Sequence, residues 1–288
     1  MPHHPLDHLV LAVRDLDAAG TFYERLGFQV GQRNRHPWGT ENCIVQFSNV
    51  FLELITVGEG ASIPEHGDGV FSFGAFVRDY LLKHEGFAML VLASSDAKAD
   101  KAAFDNAGIG GFENFYFERK GVRPDGTPVE VSFTLAFARD QLNANNGFFV
   151  CEQHRPDNFW NVNAQVHANG TKSFSSVTMV AHDPSDHAEF FSHFTGIRAF
   201  SATSAGLRFE TDHGELEVLS EPAYRFEFGL DAPREKPALS AFTVAVADLS
   251  KVEAQLTTQS VPHKRFGEAL IVAPDQGFGV AIRFVQVP

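Results

Sequence analysis

Two polar side chains in this 288-residue chain stand inside apolar segments, where chemistry is the first explanation to weigh. His8 lies in Asp7-His8-Leu9-Val10-Leu11-Ala12-Val13, and Glu53 in Phe51-Leu52-Glu53-Leu54-Ile55. A glutamate buried in such a strand costs several kcal/mol unless it is paired or coordinated, so Glu53 requires a partner. An imidazole with a carboxylate suits borderline divalent ions such as Zn, Mn, Fe or Ni, whose open positions polarise substrate oxygens. The bland alternative is a strand-edge histidine and a carboxylate paired within the fold. A third donor has three candidates in Phe148-Phe149-Val150-Cys151-Glu152-Gln153-His154. Side chains alternate along a strand, so Glu152 and His154 share one face while Cys151 and Gln153 share the other.

The elements that must carry these residues repeat. An apolar strand, a capping residue and an amphipathic helix occur at Asp7 to Leu26, where Asp15 caps and Leu16, Ala19, Phe22, Tyr23 and Leu26 recur at helical spacing before Gly27. The same order returns at Leu92 to Ala97, Val180 to Ser185 and Ala245 to Ser250. Alternating runs follow each helix: 42–47 with 50–57, 129–137 with 147–152, 207–211 with 215–219, and 269–272 with 279–285. Each unit therefore reads β-α-β-β-β, and since no unit buries its own apolar sheet face, the four must pair. The expected fold class is α+β, four βαβββ modules paired into two cupped domains, at residues 1–155 and 172–288. The segment from Arg155 to Lys172 separates them.

The opening module from Asp7 to Phe28, its closing strand Phe51 to Ile55, and the run Phe148 to His154 followed by Phe159-Trp160 and His167-Ala168-Asn169-Gly170 resemble the vicinal oxygen chelate superfamily. This superfamily includes glyoxalase I, extradiol dioxygenases and bleomycin-resistance proteins, and the similarity is to its glyoxalase-like subgroup. The resemblance implies a divalent metal in the first cup, held by His8, Glu53 and Glu152, with Glu53 or Glu152 also moving a proton. Cys151 and His154 are the alternatives for the third position. A four-ligand glyoxalase I set is not present, and a site without metal is the other outcome. In the second pair Glu217 is the counterpart of Glu53, but Ser176 and Ala241 stand where His8 does, so that cup is expected to be degenerate.

His36, Trp38, Thr40 and Asn42, in a loop that reaches over the cup, are candidate substrate contacts, as are His154, His167 and Asn169. Local turn-making by Pro37, Gly39 and Gly170 explains the same residues more plainly. Gly108-Ile109-Gly110-Gly111 follows a helix rather than a strand, which makes it a helix stop and not a phosphate cradle.

Composition bounds the partners. A net charge of -13 without a basic block argues against nucleic acid and anionic membrane surfaces. Two cysteines, Cys43 and Cys151, make no disulfide framework, and neither a signal segment nor a membrane-spanning run is evident, so a cytoplasmic location is expected. The 29 Phe are expected mainly in cores, with some lining a cavity. The functional expectation is a glyoxalase-like, metal-dependent lyase or isomerase, monomeric or homodimeric, acting on a small oxygenated metabolite through vicinal oxygens. A metal-free protein that sequesters an aromatic or apolar molecule is the alternative, and an extradiol-type dioxygenase is a weaker third.

Overall fold

A computed structural model describes residues 3–122 and 126–287. The first sheet is built from β1 (Leu6–Ala12), β2 (Asn34–Arg35), β3 (Thr40–Gln46), β4 (Phe51–Val57), β5 (Gly86–Ser94), β6 (Phe115–Val122), β7 (Pro128–Ala138) and β8 (Gly147–Gln153). Helix α1 (Leu16–Arg25) follows β1, α2 (Phe73–Lys83) precedes β5, α3 (Ala97–Asn106) follows β5, and α4 (Pro156–Phe159) opens the linker. The second sheet holds β9 (Thr171–Ala181), β10 (Ser201–Thr203), β11 (Gly206–Thr211), β12 (Gly214–Ser220), β13 (Ala238–Val246), β14 (Lys264–Phe266), β15 (Ala269–Val272) and β16 (Ala281–Gln286). Its helices are α5 (Ala188–Thr195), α6 (Glu221–Phe228) and α7 (Leu249–Thr258).

Strand order is β2-β3-β4-β1-β5-β8-β7-β6 in one sheet and β10-β11-β12-β9-β13-β16-β15-β14 in the other. Within a unit the first and last strands pair in parallel, β1 with β4 and β5 with β8, while β1 and β5 join the two units antiparallel. The βαβββ repeat and its pairing into two α+β cups are therefore present. Local chemistry starts each helix as expected: Asp15 accepts from the Ala18 amide and Asp96 from that of Ala99, both at 2.9 Å.

The central strands are buried on both faces, which explains their unbroken apolar runs. In β1, Leu9 and Leu11 enter a core shared by both sheets and helices α1, α3, α5 and α7, whereas Val10 and Ala12 face the first cup. Phenylalanines tie the halves across that shared core: Phe28 stacks on Phe284 at 6.1 Å, Phe87 meets Phe242 at 5.8 Å, and Phe148 packs on Phe190 at 4.9 Å. Each such ring contributes roughly 1.5–3 kcal/mol by leaving water, so the two cups are joined back to back by a continuous apolar layer. Helices α2 and α6 were not evident in the sequence pattern. Each covers its own cup, α2 through Phe73, Val77 and Tyr80, α6 through Ala223, Tyr224 and Phe228. Among the described residues no helix is long and apolar enough to cross a membrane.

His167 and Asn169, expected as substrate contacts, are placed at the junction between the sheets. His167 Nδ1 accepts from the Gln29 amide at 3.0 Å and Nε2 donates to the Gln46 carbonyl at 3.0 Å. Burial pushes this imidazole below its ordinary value, which suits the neutral tautomer those two bonds require. Asn169 Nδ2 donates to the Leu26 carbonyl at 2.9 Å, and its Oδ1 accepts from the Thr171 amide and hydroxyl. Gly27, at φ +88°, must lack a side chain here, since a Cβ would stand 2.8 Å from that of Asn169. Asn169→Ala strands a buried carbonyl, amide and hydroxyl, and is expected to lower unfolding free energy by about 2 kcal/mol or more. Urea denaturation would measure this loss, with ligand binding by the folded variant unchanged.

Candidate active site

The first cup encloses a cavity of about 60 Å³ between the sheet and α2. His8, His36, Trp38, Asn42 and Glu53 line it, as do Arg119, Cys151 and a wall of Phe51, Phe117, Phe133, Phe149 and Phe159. His8 enters it on the same face of β1 as Val10 and Ala12, and an irregularity in the strand brings Asp7 beside it. Leu6 opposes Leu92 and His8 opposes Val91, so Asp7 is one residue too many for the ladder. Adjacent residues of a regular strand point to opposite faces, but a bulge re-aims one of them and brings neighbours together. The His8 Nδ1–H donates to Asp7 Oδ1 at 2.5 Å, with both side chains buried. Asp7 Oδ2 accepts from Gln153 Nε2 of β8 at 2.7 Å, so the second module fixes the carboxylate that fixes the imidazole. The ring is held flat on Phe51, with centroids 4.2 Å apart, and meets the edge of Phe149 at 5.7 Å. Nε2 is the nitrogen left to the cavity.

Glu53 finds the partner its burial demands in Asn42, whose Nδ2 donates to Oε1 at 2.5 Å. The other Asn42 amide hydrogen reaches His36 Nε2 at 3.4 Å, and His36 Nδ1–H donates to Thr40 Oγ1 at 2.8 Å. His36 stacks on Trp38 at 4.5 Å. Burial pushes His36 down, and the charge of Arg119 adds to this while Glu53 opposes it, so the ring is neutral and its acceptor nitrogen real. Thr40 thus supports His36 rather than lining the cavity. Arg119 enters from β6, where Phe115 and Phe117 occupy the preceding inward positions. Burial lowers its guanidinium from the ordinary value, opposed by Glu53, and its Nη1 is buried without a hydrogen-bond partner.

The third donor of the expected metal set is not brought to this cup. Phe149 and Cys151 face the cavity, which turns Glu152 to the other side of β8. There Glu152 Oε2 accepts from the Ala97 amide at 3.0 Å at the start of α3, and Oε1 lies 3.4 Å from His154 Nδ1. His154 Nε2 is 2.7 Å from the Thr134 hydroxyl, on that same outer face. The assignment of Glu152 as ligand and proton carrier, and of His154 as substrate contact, is corrected accordingly: the strand register runs one residue earlier than expected. Cys151 does face inward, but burial, reinforced by Asp7, Glu53 and Glu152, pushes its thiol well above the ordinary range, so it is held as the poorly coordinating thiol. Among the described residues no three His, Cys, Asp or Glu side chains converge as metal ligands. A catalytic divalent site takes three protein donors, and His8 with Glu53 supplies two, so the residues present do not fit the expected centre.

The sequence pattern missed Asp7, Gln153 and Arg119. The signal for Arg119 was legible: in Phe115-Tyr116-Phe117-Glu118-Arg119-Lys120 a charge falls on the apolar parity of an alternating strand. Asp7 and Gln153 carry no such mark, because their roles come from the bulge.

In the second cup Glu217 is met by residues of the cup itself. Glu217 accepts from Thr178 Oγ1 at 2.8 Å and Ser176 Oγ at 3.2 Å, and lies 3.0 Å from Arg208, which also meets Glu227 at 2.6 Å. No histidine lines it.

The sequence profile of the glyoxalase-like domain matches residues 6–195, more than half of the chain. The chain belongs to the glyoxalase-like domain family. The match begins in β1 beside Asp7 and His8 and covers the whole first cup. No curated protein matches the sequence. A hypothetical protein from Staphylococcus aureus superposes with a TM-score of 0.67 at 12% identity, covering 98% of this chain and 99% of that one. A mutant of 4-hydroxymandelate synthase from Streptomyces coelicolor, a vicinal oxygen chelate protein, gives 0.60 at 12% identity, covering 99% and 93%. A fusion of a xylose isomerase-like TIM barrel with a 4-hydroxyphenylpyruvate dioxygenase gives 0.54 at 12% identity, over 99% of this chain and 49% of that one. At such identity these likenesses establish the glyoxalase-like fold, with dioxygenase-type neighbours, and leave the reaction to the site.

Glu217 gives a pH signature for the second cup. Burial raises its carboxyl above the ordinary glutamate value, outweighing Thr178 and Arg208. Folding therefore favours the protonated form, so this group's contribution is fully present below the ordinary value and is lost as pH rises through the raised one. Glu217→Gln removes the dependence: relative to wild type, the variant's unfolding free energy should improve as pH rises from 4 to about 8. Urea titrations at several pH values check this, and a trend in the other direction would mean that the Arg208 pair outweighs burial.

Proposed function

We propose that the first cup carries out proton transfer on a small oxygenated organic molecule, as a lyase or isomerase, with His8 as the acid–base group. The observation that carries this reading is the buried Asp7–His8 pair at 2.5 Å, with the imidazole lining the cavity. Asp7 accepts the Nδ1 proton, orients the ring and offsets the charge that the imidazole gains when Nε2 takes a proton from substrate. Gln153 holds Asp7, and the Phe51 and Phe149 rings hold His8, so the base is placed before substrate arrives. Glu53, on the neighbouring strand β4 and lining the same cavity, is a second carboxylate, fixed by Asn42. Arg119 supplies positive charge where an enolate or alkoxide oxygen would develop. Apolar rings exclude water and strengthen each of these interactions. No step here passes through a metal, since the donor set does not fit one.

A second reading, sequestration of a small apolar molecule, is favoured by one observation, the phenylalanine wall. The two readings separate on turnover. Carbon-bound hydrogen exchange in D₂O, followed by ¹H NMR on 2-oxobutanoate, dihydroxyacetone and 2-hydroxybutanoate, is expected in chelator-treated protein. His8→Gln should slow it by about 10²-fold or more, and Asp7→Asn by at least about tenfold. A carboxylate on Nδ1 also orients metal-binding histidines. Exchange that needs added Zn, Mn, Fe or Ni would therefore overturn the metal-free mechanism, and binding without exchange would favour sequestration.

A further inference from the structure

We infer that Arg119 is the anion anchor of the first cup and that the molecule it holds is a short-chain carboxylate with an apolar body. The inference rests on the first cup being the ligand site, but not on proton transfer occurring there.

Four observations carry it. The Arg119 guanidinium occupies an inward position on β6, among rings, with Nη1 buried and without a partner. Arg119 is partly buried, and a buried donor left unmet on it is costly, a cost that is understandable where a ligand completes the hydrogen bond. Second, in the other cup the arginine beside the equivalent glutamate is paired internally: Arg208 sits 3.0 Å from Glu217 and 2.6 Å from Glu227, while Arg283 there keeps one buried nitrogen, Nε, without a hydrogen-bond partner. In the first cup the carboxylate that could have satisfied Arg119, Glu53, is instead tied to Asn42 at 2.5 Å. The protein has thus kept its own anion on an amide and left the guanidinium fork facing the cavity. Third, Trp38, whose ring lines the same cavity, has its Nε1 buried without an acceptor. An unpaired guanidinium with a nearby indole N–H matches a planar anion that offers two or more acceptor oxygens. Fourth, apart from the polar groups already described, the wall is made of phenylalanines, among them Phe51, Phe117, Phe133, Phe149 and Phe159, which suit an apolar body.

Size narrows the class. At about 10–15 Å³ for each water-sized occupant, the cavity of about 60 Å³ holds four to six non-hydrogen atoms. That is a two- to four-carbon acid, or a three-carbon acid bearing an oxo or hydroxyl group beside the carboxylate. Longer acyl chains would have to displace the phenylalanines.

The test uses butanoate and pyruvate as probes, with butanamide as the uncharged isostere of the first, on the full chain. Binding is read from tryptophan fluorescence, to which Trp38 in the cavity wall contributes, and from ligand-observed NMR. Wild type should bind both acids at least about tenfold more tightly than the amide, the selectivity expected of a charge-assisted contact out of water. Arg119→Met, similar in reach and apolar, should erase that selectivity. It should also unfold at the same temperature or higher, since it removes a buried charge that the empty protein leaves unpaired. Arg119→Lys should recover part of the selectivity, less than the fork provides. Three results would overturn the inference: wild type that does not prefer acids to amide, Arg119→Met that keeps the preference, or Arg119→Met that is markedly destabilised with binding unchanged. The last would make Arg119 a structural counter-charge to Glu53. Carboxylate binding without hydrogen exchange would sustain the anchor and remove the proposed reaction, whereas exchange on dihydroxyacetone alone would do the reverse.

Discussion

The antiparallel join of β1 to β5 is the constraint on which the rest of this protein depends. It welds two βαβββ units, neither able to bury its own sheet, into one curled surface with a core on each side. It also holds the bulge at Asp7. A regular ladder there would send Asp7 and His8 to opposite faces; the slipped one sets carboxylate and imidazole together at the floor of the cup. The same local defect therefore sets the Asp7–His8 hydrogen bond, while β8 of the other unit secures the carboxylate through Gln153.

Duplication supplies a built-in comparison. β9 and β13 join as β1 and β5 do, and α6 covers the second cup as α2 covers the first. Yet the two interiors treat charge differently. Glu217 is neutralised by Arg208 and two hydroxyls, an arrangement that fills a cup. Glu53 is held by an amide, next to an imidazole pair and a buried guanidinium with an unmet donor. In one interior the glutamate is met by an arginine and in the other by an amide, and each keeps a buried arginine nitrogen without a hydrogen-bond partner. Divergence of this kind costs little in fold stability, because the back-to-back phenylalanine layer, not the cup contents, binds the halves together.

Much of the architecture was written in the sequence. Strand runs, helix caps at Asp15 and Asp96, and the repeated module follow from periodicities that each segment carries by itself, and burial on both faces made the central strands unmistakable. Helix α2, its cap at Ser72 and its apolar face notwithstanding, stayed hidden because it lies in a polar-flanked insertion between units. Of the site, His8, Glu53, His36, Trp38 and Asn42 were legible as polar residues in apolar or loop contexts that converge on one cavity.

What the sequence could not determine was parity and proximity. Whether Cys151 or Glu152 enters the cup turns on a single step of register, since side chains change face at every residue, and the packing of β8 against β5 and β7 set it. Asp7 became His8's partner through a bulge that no pattern announces. Arg119 came near Glu53 with one buried nitrogen lacking a hydrogen-bond partner only once β6 was folded into the sheet and Glu53 had been taken by Asn42. His167 and Asn169, polar residues near a glycine turn, went to the junction because the loop after α1 offered backbone groups that nothing else could satisfy. The chain alone fixes which segments are strands and helices because that information is local; which charges meet is decided by contacts between residues far apart in sequence, and those exist only in the folded protein.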